Sequence, residues 1–579
     1  MKSVQTLATG QAMARRSFLA ASTGGLMWQG WFPHLLLAAK TDSAARPVVE
    51  TSVGKIRGIT NSKVAAFKGV PYGGPTAGAG RFKPPVAPQP WAGVRDTAEL
   101  GPRSPQPARL MVPEMGDILI GHGPMSEDCL TLNVWTPGLS RNTKRPVMVW
   151  FHGGGFRTGW SGSIMYDGQE LARKHDVVVV GVNHRLNAFG FLYLAEIGGN
   201  ERQGESTNAG MLDLVLALEW VHDNIAEFGG DPGNVTLFGQ SGGGGKVSTL
   251  QAMPRTRRLF HRMIVQSTIS DTALWGQPRA DATKTAEVLL SRLGVKPNQL
   301  HELGKFSTEQ LLNAMTGDNG PAETDRSAGA TAAGGGLDGD LSLRFVPVVD
   351  GLLLPADPFD PVAPGISANV PLIVGSVETE SVPYAAPKDP YWTMDSMDDA
   401  TLRDRVKRTL RADDAVAGHI IDLYRKNRPK ASNLDIAMIL ASDAGTLRTA
   451  GYTIAEHKAA QNQAPVYLYQ FKWYSPVHQG KVRAMHGVEL PFVFDHVDDA
   501  QWMIGDGRDR YALAGKISGA WAAFAHTGNP NHKGLPPWRP FDANRRTTML
   551  FDNECRAEDD PHREERLAIV ATQGNRSRG

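Results

Sequence analysis

Gly239-Gln240-Ser241-Gly242-Gly243 places a hydroxyl between glycines directly after the apolar run Val235-Thr236-Leu237. A strand that turns sharply into a helix at such a site exposes the serine at the sheet edge, and the glycines remove Cβ atoms that would clash there. The chemistry this suits is nucleophilic attack by Ser241 on a carbonyl carbon. A serine hydroxyl attacks poorly until a base takes its proton, and the oxyanion formed needs donors already in place. His152-Gly153-Gly154-Gly155-Phe156, following the run Pro146 to Phe151, has the form of such a donor loop, in which main-chain N–H groups face a substrate oxygen. Either motif alone also reads as an ordinary turn in a chain with 63 glycines. Their pairing carries the reading.

The elements that must hold these residues follow from the apolar pattern. After Arg46, short β-branched or apolar runs alternate with longer helical stretches, which predicts an α/β fold with a mostly parallel sheet covered by helices on both faces. Predicted strands are Pro146 to Phe151, Val177 to Val182, Val235 to Gly239, Met263 to Gln266, Leu372 to Val374 and Val466 to Phe471. Several are almost continuously apolar, as strands buried on both sides should be. Leu214, Leu218, Val221 and Ile225 recur at helical spacing, so a core-facing helix is expected over Asn208 to Ile225. The Gly- and Ala-rich stretch Ser327 to Asp340 predicts a surface loop inserted in the fold, because catalytic candidates lie on both sides of it.

The 579 residues are 41% hydrophobic and 21% charged, enough for a sizeable core, and the net charge of +2 comes with no basic run interleaved with aromatics. Nucleic acid is therefore not an expected partner. Two cysteines, Cys129 and Cys555, match neither a disulfide framework nor a zinc or redox motif; any bridge would have to join the two. No cluster implies a metal or organic cofactor, and nothing marks an oligomeric state. Arg15-Arg16-Ser17-Phe18-Leu19 precedes a weakly apolar stretch ending near Leu35-Leu36-Leu37-Ala38-Ala39, which resembles a twin-arginine export signal. Pro33, His34 and several glycines interrupt that stretch and argue against a membrane helix. The expectation is a leader over residues 1–45, cleaved after Ala39 or Ala45, and one domain over 46–579, periplasmic or secreted, with no stable membrane span after the leader is removed.

Two longer stretches, Glu127-Asp128-Cys129-Leu130-Thr131-Leu132-Asn133-Val134 and Phe228 to Gly243, resemble the two signatures of the type-B carboxylesterases, serine esterases of the α/β-hydrolase fold related to cholinesterases. Phe67 to Tyr72, Asn183 to Leu186, Phe345 to Gly351 and His486 to Phe492 extend the likeness over nearly all of the chain after the leader. The resemblance implies Ser241 as nucleophile, His486 as general base and Glu380 as the acid that orients it. It also implies oxyanion donors at Gly154, Gly155 and Gly242, with a small-molecule ester as substrate. Phe156 and Trp160 are candidates for the pocket wall, and equally for ordinary core aromatics. Glu378 competes with Glu380, because residues two apart in an extended segment project to the same side; the family pattern favours Glu380 and leaves Glu378 an exposed loop charge.

The sequence also departs from the family. Ser104 stands where members commonly place the cysteine that pairs with Cys129, so the family disulfide is expected to be absent. Gln240 precedes the nucleophile where many relatives have Glu, and Gln266-Ser267-Thr268 replaces the more usual Gln-Ser-Gly. The alternatives to a carboxylesterase are an inactive cholinesterase-like binding or adhesion module, and a hydrolase of the same fold acting on amides, carbamates or larger polymer or toxin esters. The retained serine, histidine and glycines weigh for the esterase.

Overall fold

Runs of buried valine and isoleucine form the centre of an 11-stranded sheet. The computed structural model describes residues 46–107, 123–198, 207–268, 276–316, 343–382 and 390–574. The expected leader and the expected loop over Ser327 to Asp340 lie outside the described residues. In chain order the strands of the large sheet are β1 (Ile59–Asn61), β2 (Val64–Pro71), β3 (Thr131–Thr136), β4 (Arg145–Phe151), β5 (Val178–Val182), β6 (Gly230–Gln240), β7 (Arg262–Gln266), β8 (Leu372–Val377), β9 (Val466–Phe471), β10 (Thr547–Phe551) and β11 (Arg556–Asp559). They lie in the order β11-β10-β9-β8-β7-β6-β4-β5-β3-β2-β1. From β10 to β5 neighbouring strands run parallel. The flanks are antiparallel, with β11 on one side and β3, β2 and β1 on the other.

Strand alternation divides the side chains between two cores. Along β4, Val147, Val149 and Phe151 enter one and Met148 and Trp150 the other; along β7, Met263 and Val265 oppose Ile264. Each fully buried side chain of this kind stabilises the fold by roughly 1.5–3 kcal/mol. Helices α1 (Ala209–Asn224), α2 (Gly242–Leu250) and α3 (Thr446–Ala460) contribute to the first core, and α4 (Asp509–Thr527) to the second. Within α1, Leu214, Leu218 and Val221 are fully buried, as is Ile225 just after its end, which matches the expected face.

All of the expected strands are present, and the antiparallel flanks are additional. Those flanks escape an apolar-run criterion because they carry polar residues with structural work: Asn133 in β3 accepts the Gly69 N–H at 2.9 Å and donates to Ser161 Oγ at 3.2 Å. The outermost parallel strand, β10, is also additional to the expected strands and opens on two threonines. Among the described residues no helix is long and apolar enough to cross a membrane.

Candidate active site

Strand β6 delivers Ser241 to the turn before α2, where its backbone adopts φ 59° and ψ −125°. A non-glycine residue held there is strained and needs neighbours that over-determine it. Ser241 N–H donates to the Gln266 carbonyl at the end of β7 (2.9 Å), and the Ser241 carbonyl accepts from Gly245 N–H (3.1 Å). A Cβ at position 243 would collide with the Phe151 carbonyl, so only glycine lets α2 start this close to the end of β4. Position 242 likewise abuts the Gly155 backbone, which brings the serine turn and the glycine loop together main chain to main chain. Gly154 takes φ 88° against the Thr158 carbonyl, and Gly155 takes φ 65° beside open space. The N–H groups of Gly154, Gly155 and Gly242 have no acceptor among the described residues, as donors kept for an incoming oxygen should.

The acid and the histidine arrive from the next strands. Beyond β8 the chain turns, and Glu380 Oε2 meets His486 Nδ1 at 2.6 Å while Glu380 Oε1 accepts the Val377 N–H at 3.0 Å. The segment is a turn rather than the extended stretch expected from sequence, so Glu378 and Glu380 part company. Glu378 is not an exposed loop charge: it is buried and paired with Lys472 at 3.0 Å. Arg448 Nη2 donates to the carbonyls of Val377 and Glu378, both at 2.8 Å, and Nη1 to Asp443 at 2.7 Å, which pins the turn from below. On the other edge of the imidazole, Gln240 Nε2 lies 3.1 Å from His486 Nε2. With Nδ1–H donated to Glu380, Nε2 is the acceptor and the Gln240 amide its donor. Ser241 Oγ, buried at 2% exposure, has no hydrogen-bond partner among the described residues.

Two further groups, neither assigned a role from the sequence, sit in this neighbourhood. Glu489, three residues after His486, is buried and accepts from Gln266 Nε2 at 3.3 Å, and Trp521 Nε1 donates to the same glutamine at 3.1 Å. Burial and the nearby Glu380 carboxylate push Glu489 up to about 7. Lys246, in α2, is fully buried and donates to the His152 and Gly155 carbonyls. A lysine inside an otherwise small and apolar helix, and an acid inside the His486 motif, were the available signals for both. Phe156 packs edge-on against Phe191 with Lys246 Nζ over its ring, and the Trp160 indole donates to the Gly101 carbonyl at 3.0 Å. Ser104 hydrogen-bonds to Cys129, whose thiol burial pushes up to about 12; both Cys129 and Cys555 are free. Among the described residues no group of three or more His, Cys, Asp or Glu side chains could hold a metal ion.

A family model described as "Carboxylesterase family" matches residues 45–570. The chain belongs to that family. This carboxylesterase is 34% identical to the para-nitrobenzyl esterase of Bacillus subtilis (strain 168) over 530 residues, covering 91% of its own length and 99% of that protein. A solved carboxylesterase of Geobacillus stearothermophilus superposes with a TM-score of 0.72 at 34% identity, covering 90% of this chain and all (100%) of that one. An esterase from the anaerobe Clostridium hathewayi, described as able to hydrolyse aliphatic aromatic polyesters, superposes at 0.74 with 31% identity, over 91% of this chain and 98% of its own. The carboxylesterase accordingly has the α/β-hydrolase fold and is a carboxylic ester hydrolase.

Proposed function

We propose that the enzyme cleaves small-molecule carboxylic esters through an acyl-enzyme on Ser241, with His486 as the proton carrier and Glu380 as its orienting acid. The observation that carries this reading is the 2.6 Å contact between Glu380 Oε2 and His486 Nδ1, which leaves the Nε2 lone pair as the base. In the first half-reaction Ser241 Oγ bonds to the ester carbonyl carbon, His486 takes the hydroxyl proton, and the C–O bond to the alcohol breaks as that proton passes to the leaving oxygen. In the second, water adds to the acyl-serine, gives a proton to His486, and the acid leaves as the proton returns to Ser241. Gln240, whose Nε2 lies 3.1 Å from His486 Nε2, must yield that position to Ser241 for the first proton transfer, since one lone pair cannot accept from both. The N–H groups of Gly154, Gly155 and Gly242 receive the charge that develops on the carbonyl oxygen. Phe156 and Trp160, which follow the glycine loop in the chain, would back the wall of the ester pocket.

The test is the Ser241→Ala variant together with a phosphonylating inhibitor. The variant is expected to fold and to keep less than about one hundredth of the activity, and mass spectrometry to place the adduct on Ser241. An adduct elsewhere would overturn the assignment. A hydrolysis panel graded in acyl and alcohol size, and including an aliphatic aromatic polyester, an amide and a carbamate, separates a small-ester enzyme from its alternatives. Residues 1–45 are proposed as a twin-arginine leader that takes the enzyme to the periplasm or beyond. Arg15→Lys with Arg16→Lys should retain it in the cytoplasm, because lysine does not reproduce the guanidinium fork; unchanged export in cell fractionation would rule that route out.

A further inference from the structure

Lys246 is the least expected charge in the molecule. It lies five residues after the nucleophile in the first turns of α2, it is completely shielded from solvent, and it forms no ion pair with a carboxylate among the described residues. Its Nζ donates instead to two main-chain carbonyls, His152 at 2.9 Å and Gly155 at 2.8 Å, and stands 5.1 Å above the Phe156 ring. Burying an ammonium is costly, and here two oriented carbonyls and an aromatic face are what compensates it. Those carbonyls bracket the glycine loop. Of the remaining two, Gly153 O faces His152 Nδ1 at 2.8 Å and Gly154 O accepts from Thr158 N–H at 3.1 Å. Every carbonyl from 152 to 155 thus has a polar partner, and the N–H groups of Gly154 and Gly155 have no acceptor among the described residues.

We propose that Lys246 is a positioning residue for the oxyanion hole: its ammonium clamps both ends of the glycine loop to the helix that carries the nucleophile and adds positive potential behind the donors. This rests on the assignment of that loop as the oxyanion hole. The clamp and the elbow share α2, so the distance between nucleophile and donors is set by one rigid element. A unit charge in a dry site acts over several ångströms with little screening, so it favours the charged transition state over the neutral ester. The titratable groups that face it are His152 and His184, whose rings stack 5.1 Å apart. Burial and the Lys246 charge push His152 down to about 3 and His184 well below its usual range, so neither has a proton to lose near neutrality. Burial also pushes Lys246 itself down to about 7.

The experiment compares the whole enzyme with Lys246→Met, which removes charge and donors, and Lys246→Gln, which keeps an N–H donor without the charge. In each, kcat and KM are measured against pH, together with the Ki of a trifluoromethyl ketone, which forms a tetrahedral adduct on the serine. For Met the expected result is kcat lowered about 30- to 100-fold, the ketone weakened in parallel and KM changed by less than about 3-fold; Gln should fall between Met and the native enzyme. The native kcat should decline as pH rises through the Lys246 ionisation, and both variants should lose that alkaline limb. A kcat within about 2-fold of native in both, a rise in KM alone, or loss of folding in both variants would overturn the proposal in favour of a core-filling lysine. The phosphonate adduct on Ser241 of the native enzyme, scored separately, distinguishes this failure from failure of the esterase mechanism itself.

Discussion

The two halves of the site are built from different materials. Around Ser241, Gly154, Gly155 and Gly242 the parts are main chain, meshed so closely that a single Cβ at position 243 would strike the Phe151 carbonyl. Around His486 and Glu380 they are long side chains: Gln240 reaches the imidazole, Arg448 holds the turn that carries Glu380, and Gln266 ties Glu489 to Trp521 close by. The first half works by shape, and cannot relax without moving a strand end or a helix. The second works by charge, and its members can be exchanged for neutral isosteres without a steric clash. A backbone half should therefore respond to added atoms and a side-chain half to removed charges.

The largest effect expected from this contrast is in the charge half. Glu380→Gln keeps the volume but loses the carboxylate charge that stabilises the imidazolium, and kcat should fall by up to about 10⁴-fold with the fold intact by circular dichroism. Glu378→Gln breaks the pair with Lys472 at 3.0 Å, away from the imidazole, and should cost stability with kcat kept within about 5-fold. The reverse ranking would move the role to Glu378. In the shape half, Gly154→Ala must both strain φ 88° and push into the Thr158 carbonyl, whereas Gly155→Ala strains φ 65° beside open space. Kinetics should show kcat lowered about 100-fold for Gly154→Ala, near the 3 kcal/mol of a lost oxyanion donor, and clearly less for Gly155→Ala. Equal losses would mean that conformation alone, not the close approach, governs the loop.

The smallest effect is on stability. Glu489 has an ordinary value near 4.5 and is held at about 7 in the fold by burial and by Glu380. The folded state therefore binds more protons than the unfolded chain between those values, and Glu489 costs stability progressively as pH rises through that window. Glu489→Gln keeps the acceptor for Gln266 and removes the titration. Its melting temperature should exceed that of the native enzyme by about 2–4 °C at pH 8 and equal it near pH 4. A difference that did not vary with pH would show that the fold does not raise Glu489 above its ordinary value.

The division between the halves also marks what could be read in advance. Glycine-rich turns announce themselves, because the backbone geometry they serve excludes other residues: the turns at Gly239 to Gly243 and Gly153 to Gly155 were legible, with the strands that precede them, from local sequence. The parallel strands β4 to β9 were legible because burial on two faces demands unbroken apolar runs; β3 in the antiparallel flank and the outer parallel strand β10 were not, since Asn133 and the threonines of β10 interrupt the apolar pattern. The choice of Glu380 over Glu378 came from likeness to a family, and local spacing pointed equally to both. Only the tertiary structure turns the chain after β8, so that one carboxylate meets His486 and the other meets Lys472. The same holds for Glu489 beside Gln266 and for Lys246 between two carbonyls. A residue's partners across hundreds of positions depend on how strands are ordered in the sheet. The local sequence sets which conformations a segment can adopt, and the packed fold decides which charges those conformations bring face to face.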